Sequence, residues 1–257
     1  MRCPAVISSL AVLLLAVPGC ERPAAPPAAA ATISRDSAIA RQRASDSVFR
    51  NDFANFARYR DANRALGAPA AGERRVVFVG NSITEGWVQY FPSMFPGRPY
   101  IGRGIGGQTT PQMVVRFHAD VVSLKPAVVV ILAGTNDIAG NTGPSTNAMI
   151  QDNIAAMTNI AQANRIRVVL SSILPVYDYP WRPGLAPAPR IVAINAWMKA
   201  YAARVGATYV DYHTAMKDDR DGLRAGLGDD GVHPNDAGYR IMAALVVPAI
   251  AAAVARR

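Results

Sequence analysis

Two short stretches, far apart in the chain, carry residue types that together make acyl-transfer chemistry. One is Asp230-Gly231-Val232-His233-Pro234, which puts a carboxylate three positions before a histidine just where a long helical pattern begins. The other is Val76-Val77-Phe78-Val79 running into Gly80-Asn81-Ser82, a buried-looking strand that ends in a serine. A serine at a strand end and an Asp/His pair on a late loop are the parts of a Ser-His-Asp hydrolase. The serine attacks, the histidine carries the proton and the aspartate orients the imidazole. Unrelated enzymes hold these three in different chain orders, so their spatial roles matter and their order does not. Asp-x-x-His alone fits a surface histidine beside a helix-capping loop equally well, and the segments between the two stretches have to decide.

Those segments alternate. Strand patterns fall at 75–80, 99–102, 127–133, 167–173 and 208–211, and helical patterns at 84–91, 110–124, 146–164, 189–205 and 235–255. Val128-Val129-Val130-Ile131-Leu132 is apolar throughout, as a strand must be when both faces of its sheet are covered. The alternation predicts an α/β fold, a flavodoxin-like three-layer α/β/α sandwich around a parallel sheet of about five strands. Such sheets take ligands at the C-terminal ends of their strands. Here the first strand ends at Ser82, the second enters Gly102-Arg103-Gly104-Ile105-Gly106-Gly107, and the third enters Gly134-Thr135-Asn136-Asp137. Three loops thus converge on one edge, within reach of the Asp230/His233 loop. An oxyanion formed there needs fixed donors. The backbone N–H groups of Ser82 and Gly107 and the side-chain amide of Asn136 are the candidates, and glycine at 107 lets backbone approach substrate closely. Asp137 reads either as a support behind the site residues or as a turn residue, and the turn is the preferred reading.

With these four segments in order, the chain resembles the SGNH, or GDSL, hydrolase family over roughly residues 74–250. The resemblance rests on Gly80-Asn81-Ser82-Ile83, Gly104-Ile105-Gly106-Gly107, Gly134-Thr135-Asn136-Asp137 and Asp230-Gly231-Val232-His233-Pro234. It implies Ser82, Gly107, Asn136 and His233 as the family's quartet, with Asp230 completing a triad and neither metal nor cofactor required. Members hydrolyse esters and thioesters of lipids, acylated sugars and small acyl compounds, and this chain looks most like the lysophospholipase-like and platelet-activating-factor acetylhydrolase-like esterases. The implied substrate is a small acyl or lysophospholipid-like ester. A carbohydrate O-acetyl ester is the alternative, and a tethered, non-catalytic binding domain is the alternative from another class. Two positions depart from the pattern: Asn81 stands where aspartate is usual, and Gly102 where asparagine often opens the glycine segment. Loss of the charge at 81 bears on rate rather than on fold.

Competing motifs fare worse. Gly102 to Gly107 also fits G-x-G-x-x-G, but it follows the second strand, and no acidic residue ends the next strand as dinucleotide binding needs. Thr84 stands where the second glycine of G-x-S-x-G would be. Of three histidines, His118 and His213 read as structural or exposed, and both cysteines precede residue 21, which argues against a zinc site and leaves the domain no cysteine nucleophile. The aromatic, proline-rich stretch at 175–189 follows the fourth strand, and its Tyr177, Tyr179 and Trp181 are expected to line the substrate site.

The 257 residues suit one domain with appendages. Arg2, an apolar run at 5–17 and Val17-Pro18-Gly19-Cys20 make 1–20 an export signal too short to span a bilayer. Its end resembles a lipobox, with Cys20 as the lipid anchor and hence a means of membrane attachment. A Pro/Ala run at 21–31 is a linker. Region 32–73 is expected to hold one long amphipathic helix over 34–66, with Phe49, Phe53 and Phe56 on its face and Gly67 and Pro69 ending it. Residues 74–257 form the hydrolase domain. The expected location is the periplasm or the outer membrane as a lipoprotein, or the medium as a soluble protein. A net charge of +9, scattered along an exported chain, gives weak attraction to anionic surfaces and argues against nucleic acid as a partner.

Overall fold

Five runs of β-branched and apolar residues form five strands: β1 (Val76–Gly80), β2 (Tyr100–Gly104), β3 (Val128–Leu132), β4 (Arg167–Ser171) and β5 (Thr208–Val210). Around them lie helices α1 (Arg60–Leu66), α2 (Ser82–Trp87), α3 (Phe91–Met94), α4 (Thr110–Asp120), α5 (Thr135–Ile138), α6 (Asn147–Ala163), α7 (Ala188–Val205), α8 (Tyr212–Met216) and α9 (Asp236–Ala255). The computed structural model describes residues 49–255 and, before them, Ile39, Ala40, Arg43, Asp46 and Ser47. The chain divides into two units, Met1–Arg43 and Ala44–Arg257. The described residues of the first are helical, and the expected export signal, Cys20 and the 21–31 linker lie outside the described residues. The sheet belongs to the second unit.

All four strand pairings are parallel, in the order β2-β1-β3-β4-β5. The chain leaves β1 in one direction to make β2 and returns past it to make β3, so the topological switch point falls between β1 and β3. Strand side chains alternate between faces. Val77, Val79, Val129, Ile131, Val168 and Leu170 pack under α4, α6 and α7. Val76, Phe78, Val128, Val130 and Val169 pack under α2, α3 and α9 on the other side. Each such burial contributes about 1.5–3 kcal/mol, and continuous apolar strands are what two covered faces require. Helix α9 is long and apolar enough to cross a membrane, but its Tyr239, Met242, Val246, Ile250 and Ala253 are buried in this second cluster.

Register fixes where the strands end. Gly80 at the end of β1 pairs with Gly104 of β2 and with Leu132 of β3, so three loops leave the sheet at one level. The close approach needs glycine. A Cβ on Gly104 would lie 2.2 Å from the Glu85 backbone nitrogen and 2.7 Å from the Asn81 carbonyl oxygen. A Cβ on Gly102 would lie 2.2 Å from Val88 Cγ2, which accounts for glycine where the family often has asparagine.

The long helix expected over 34–66 does not run unbroken. The described helical residues end at Asn51, and a 3-10 turn over Phe56–Arg58 and then α1 follow. Asp52 is the cause: its carboxylate accepts the backbone N–H groups of Phe56 at 2.8 Å and Ala57 at 2.9 Å, and Asn55 takes the left-handed conformation at φ 54°. A side chain that captures two backbone donors ends a helix that apolar spacing would continue. Ala54 becomes the buried residue of this segment, while Phe49 and Phe56 remain exposed.

Because the atoms nearest a Gly104 Cβ are backbone and cannot swing away, Gly104→Ala is expected to cost about 3 kcal/mol, the upper end of overpacking. In a domain of this size that is a thermal midpoint lower by roughly 6–12 °C, measured by scanning calorimetry. An unchanged midpoint would show that α2 does not lie against β2 as described.

Candidate active site

Ser82 opens helix α2. Asn81 is its N-cap, extended and almost fully buried, and the Asn81 Oδ1 accepts the Ile83 N–H at 3.0 Å. Asparagine caps as well as aspartate does, so the departure from the family pattern keeps the cap and removes a buried negative charge. As the first helical residue, Ser82 has an N–H that no helical carbonyl reaches. An aromatic bed holds the helix. Trp87 stacks on Tyr239 with centroids 5.6 Å apart and meets Phe78 edge-on at 5.6 Å. The Tyr239 hydroxyl donates to the Ile83 carbonyl at 2.8 Å, tying α9 to α2.

The loop before α9 brings the other two groups. His233 Nε2 lies 2.8 Å from Ser82 Oγ, and His233 Nδ1 lies 2.6 Å from Asp230 Oδ2. Asp230 Oδ1 accepts the backbone N–H groups of Val232 at 2.9 Å and His233 at 2.7 Å, Gly231 turns the chain at φ 76°, and buried Val232 anchors the loop in the core. Partial burial pushes the Asp230 carboxyl up, but hydrogen bonds from the backbone and ring of His233 and from the Val232 backbone outweigh it, leaving its pKa below the ordinary carboxylate value.

The glycine loop between β2 and α4 faces this pair. Gly107 is left-handed at φ 75°. Its carbonyl accepts from Asn141 Nδ2 at 3.1 Å, and the carbonyl of Gln108 accepts from Asn136 Nδ2 at 2.9 Å. Among the described residues the Gly107 N–H has no acceptor. Asn136 is buried in α5, just past the end of β3. The five residues Ser82, Gly107, Asn136, Asp230 and His233 therefore stand at one edge of the sheet. Below them lies Arg116 of α4, fully buried and invisible to motif reading. It donates to the Gly80 carbonyl at 3.0 Å, to Gln108 Oε1 at 2.6 Å and to Asp120 at 2.9 Å.

Asp137 is more than a turn residue. It is buried, and its carboxylate accepts the Thr110 N–H at 3.0 Å on each oxygen and the Thr110 hydroxyl as well, holding the N-terminus of α4. Burial raises its pKa to about 6 against the lowering effect of the Thr110 bonds.

A cleft of about 560 Å³ opens beside the glycine loop, lined among others by Phe49, Phe53, Gly107, Thr142, Trp181 and Arg182. Of the three aromatics expected there, Trp181 is the one that lines it, 41% exposed and with its ring 6.2 Å from that of His233. Tyr179 is 0% exposed and belongs to the core, its hydroxyl paired with Thr135 Oγ1 at 2.8 Å. The bridge between Tyr179 and Arg182 turns the chain here, sending one ring inward and the other out. Tyr177 lines a separate apolar groove with Pro189 and Val192, under the Arg220 guanidinium at 4.4 Å.

Residues 78–241 match a family model described as the GDSL-like Lipase/Acylhydrolase family. The fold is similar to that of a GDSL-like lipase from Bacteroides thetaiotaomicron, with a TM-score of 0.76 and 46% identity over 79% of this chain and 100% of that one. The chain is 26% identical over 223 residues to the acetylxylan esterase of Xylanibacter ruminicola, covering 73% of this chain and 45% of that protein. It is 26% identical over 176 residues to the esterase TesA of Pseudomonas aeruginosa, covering 64% of this chain and 81% of that one. The chain thus spans less than half the length of the acetylxylan esterase.

The raised pKa of Asp137 has a definite sign. The folded state binds its proton more tightly than the unfolded state, so its contribution is fully present below the unfolded value near 3.8 and is lost as pH rises through about 6. Asp137→Asn keeps an acceptor and cannot ionise. Its thermal midpoint, compared with that of the wild type, is expected to improve steadily from pH 4 to pH 6.5. A constant difference across that range would contradict the assignment.

Proposed function

The chain belongs to the GDSL-like lipase/acylhydrolase family, and on that premise we propose that it is a carboxylic ester hydrolase working through Ser82, His233 and Asp230. The reading is carried by the unbroken pair of hydrogen bonds from Ser82 Oγ to His233 and from His233 to Asp230. With its Nδ1–H donating to the carboxylate, His233 has Nε2 free to take the serine proton as Oγ attacks the ester carbonyl. The oxyanion receives the N–H groups of Ser82 and Gly107 and the second amide hydrogen of Asn136, whose first is bound to Gln108. The carbon–oxygen bond to the alcohol then breaks, and His233 gives the proton to the leaving oxygen. Water, deprotonated by His233, releases the acid and restores Ser82.

The substrate proposed is an ester of a short acyl group. The cleft is open and mixed in polarity, with the exposed rings of Trp181 and Phe49 beside polar groups rather than a closed apolar channel, which suits a small acyl or lysophospholipid-like compound. The exposed Trp181 favours a second reading, a carbohydrate O-acetyl ester, because an indole face stacks on a sugar ring. Hydrolysis of p-nitrophenyl esters of graded chain length, beside acetylated xylan and lysophosphatidylcholine, separates the two.

Ser82→Ala or His233→Ala is expected to lower ester turnover by ~10³-fold or more. In the wild type kcat/KM should rise from acid toward neutral pH, because a general base has to be unprotonated to take the serine proton. Folded variants with near-normal turnover, or a flat pH profile, would end the proposal.

Export is proposed with Cys20 as the lipid-bearing residue. In cells, the wild-type protein should then sediment with membranes, and Cys20→Ser should not become diacylated. Unmodified wild-type protein, cleaved elsewhere and free of membranes, would reject the anchor.

A further inference from the structure

Residues 53–59 lie outside the segment that matches the family model, yet they touch the end of β2, the glycine loop and the start of the helix that follows it at three points, and reach the loop at a fourth through Glu85. The Phe53 carbonyl accepts from Gln112 Nε2 at 2.8 Å, and the Ala54 carbonyl accepts from Gln108 Nε2 at 2.8 Å. The Tyr59 hydroxyl donates to the Gly104 carbonyl. Arg58 reaches the same loop through Glu85. Its Nη2 lies 2.9 Å from Glu85 Oε1, and Glu85 Oε2 accepts the Gly106 N–H at 2.8 Å. Glu85 sits three positions after Ser82 on α2, on the side of the helix that meets the loop. A Cβ on Gly106 would lie 3.0 Å from Glu85 Oε2 and 3.9 Å from Ser82 Cβ.

We infer that Glu85 is a positioning residue for the reaction: it clamps the peptide between Ile105 and Gly106 and so aims the next N–H, that of Gly107, at the developing oxyanion, with Arg58 bracing it. The inference rests on the ester-hydrolase reading. Each neighbour of that N–H is held by a different partner. Tyr59 takes the Gly104 carbonyl, Glu85 the Gly106 N–H, Asn141 the Gly107 carbonyl and Asn136 the Gln108 carbonyl. Left-handed Gly107 has no side chain to limit its rotation, so its direction depends on these outer bonds. Of the groups that hold the loop, Glu85 alone is carried by the nucleophile's own helix. Its bond to Gly106 therefore fixes the oxyanion donor relative to the attacking oxygen. A carboxylate is the fitting choice, because a charge-assisted bond to N–H is short and strong, and Arg58 keeps it from turning to solvent.

Such a role has a signature that a purely structural one lacks. An interaction that aims an oxyanion donor is felt in the transition state, so its loss falls on kcat and spares KM. The test uses p-nitrophenyl acetate, a reversible trifluoromethyl ketone that forms an oxyanion on serine, and a fluorophosphonate that labels it. Glu85→Ala is expected to lower kcat about 10–100-fold, to weaken the ketone in proportion, and to leave KM and the thermal midpoint nearly unchanged. Glu85→Gln, which keeps an acceptor for Gly106, should recover most of that loss. Full kcat in folded Glu85→Ala, a change in KM alone, or a loss of ketone affinity out of step with kcat would each overturn the inference. Should Glu85→Ala fail to fold, Arg58→Ala decides: a severalfold fall in kcat with matching weakening of the ketone sustains the clamp, and unchanged kcat ends it. Wild-type protein that the fluorophosphonate does not label at Ser82 would overturn the hydrolase reading itself, and the clamp with it. Labelled wild type beside an unimpaired Glu85→Ala overturns the clamp alone.

Discussion

The site depends on one constraint: β1, β2 and β3 end at the same height. Gly80, Gly104 and Leu132 are register partners, so the residues that follow them begin from a common line. Parallel pairing makes this alignment usable, because all three chains then leave the sheet in the same direction. Ser82, the glycine loop and Asn136 each need only a few residues to reach the edge. Short connections to a rigid sheet hold side chains more closely than long loops can. The glycines at 80 and 104 are part of the same constraint, since α2 lies against their backbones where a methyl group would not fit.

A second layer of order lies below that edge. Arg116 and Asp120 form an ion pair with side chains 0% and 2% exposed. Taking both charges from water costs several kcal/mol, and a pair of this kind is a poor source of stability. What it provides here is geometry. One guanidinium reaches the carbonyl of Gly80, two residues before Ser82, and the side chain of Gln108, one residue after Gly107 in the glycine loop. Its planar fork suits three acceptors at fixed angles in a way that lysine would not.

Much of this was legible in the sequence. The four glycine- and aspartate-bearing segments and the five apolar strands are local patterns, and the strands stand within a few residues of where their periodicity puts them. What escaped was decided by single atoms or by distant partners. The helix over 34–66 breaks because one aspartate captures two backbone donors, and apolar spacing carries no trace of that. Tyr179 and Trp181 are two residues apart with similar chemistry, so only the turn between them tells which is core and which is surface. Arg116 looks like an ordinary polar position of a helix, because its partners at 80 and 108 are far off in the pattern. Asp137 was within a motif and Glu85 two residues past one, yet their acceptor roles need the loop in place to be seen. Asn81 ran the other way: an apparent defect in the motif proves to be a sound helix cap.

The hydrogen bond between Ser82 and His233 joins residues 151 positions apart, and that distance is also a delay. A ribosome adds roughly 5–20 residues per second, so the imidazole is made roughly 8–30 seconds after the hydroxyl it is bonded to. During that interval Ser82 is an ordinary alcohol on a nascent chain. The strands that separate the two in sequence must also be laid side by side before they can meet.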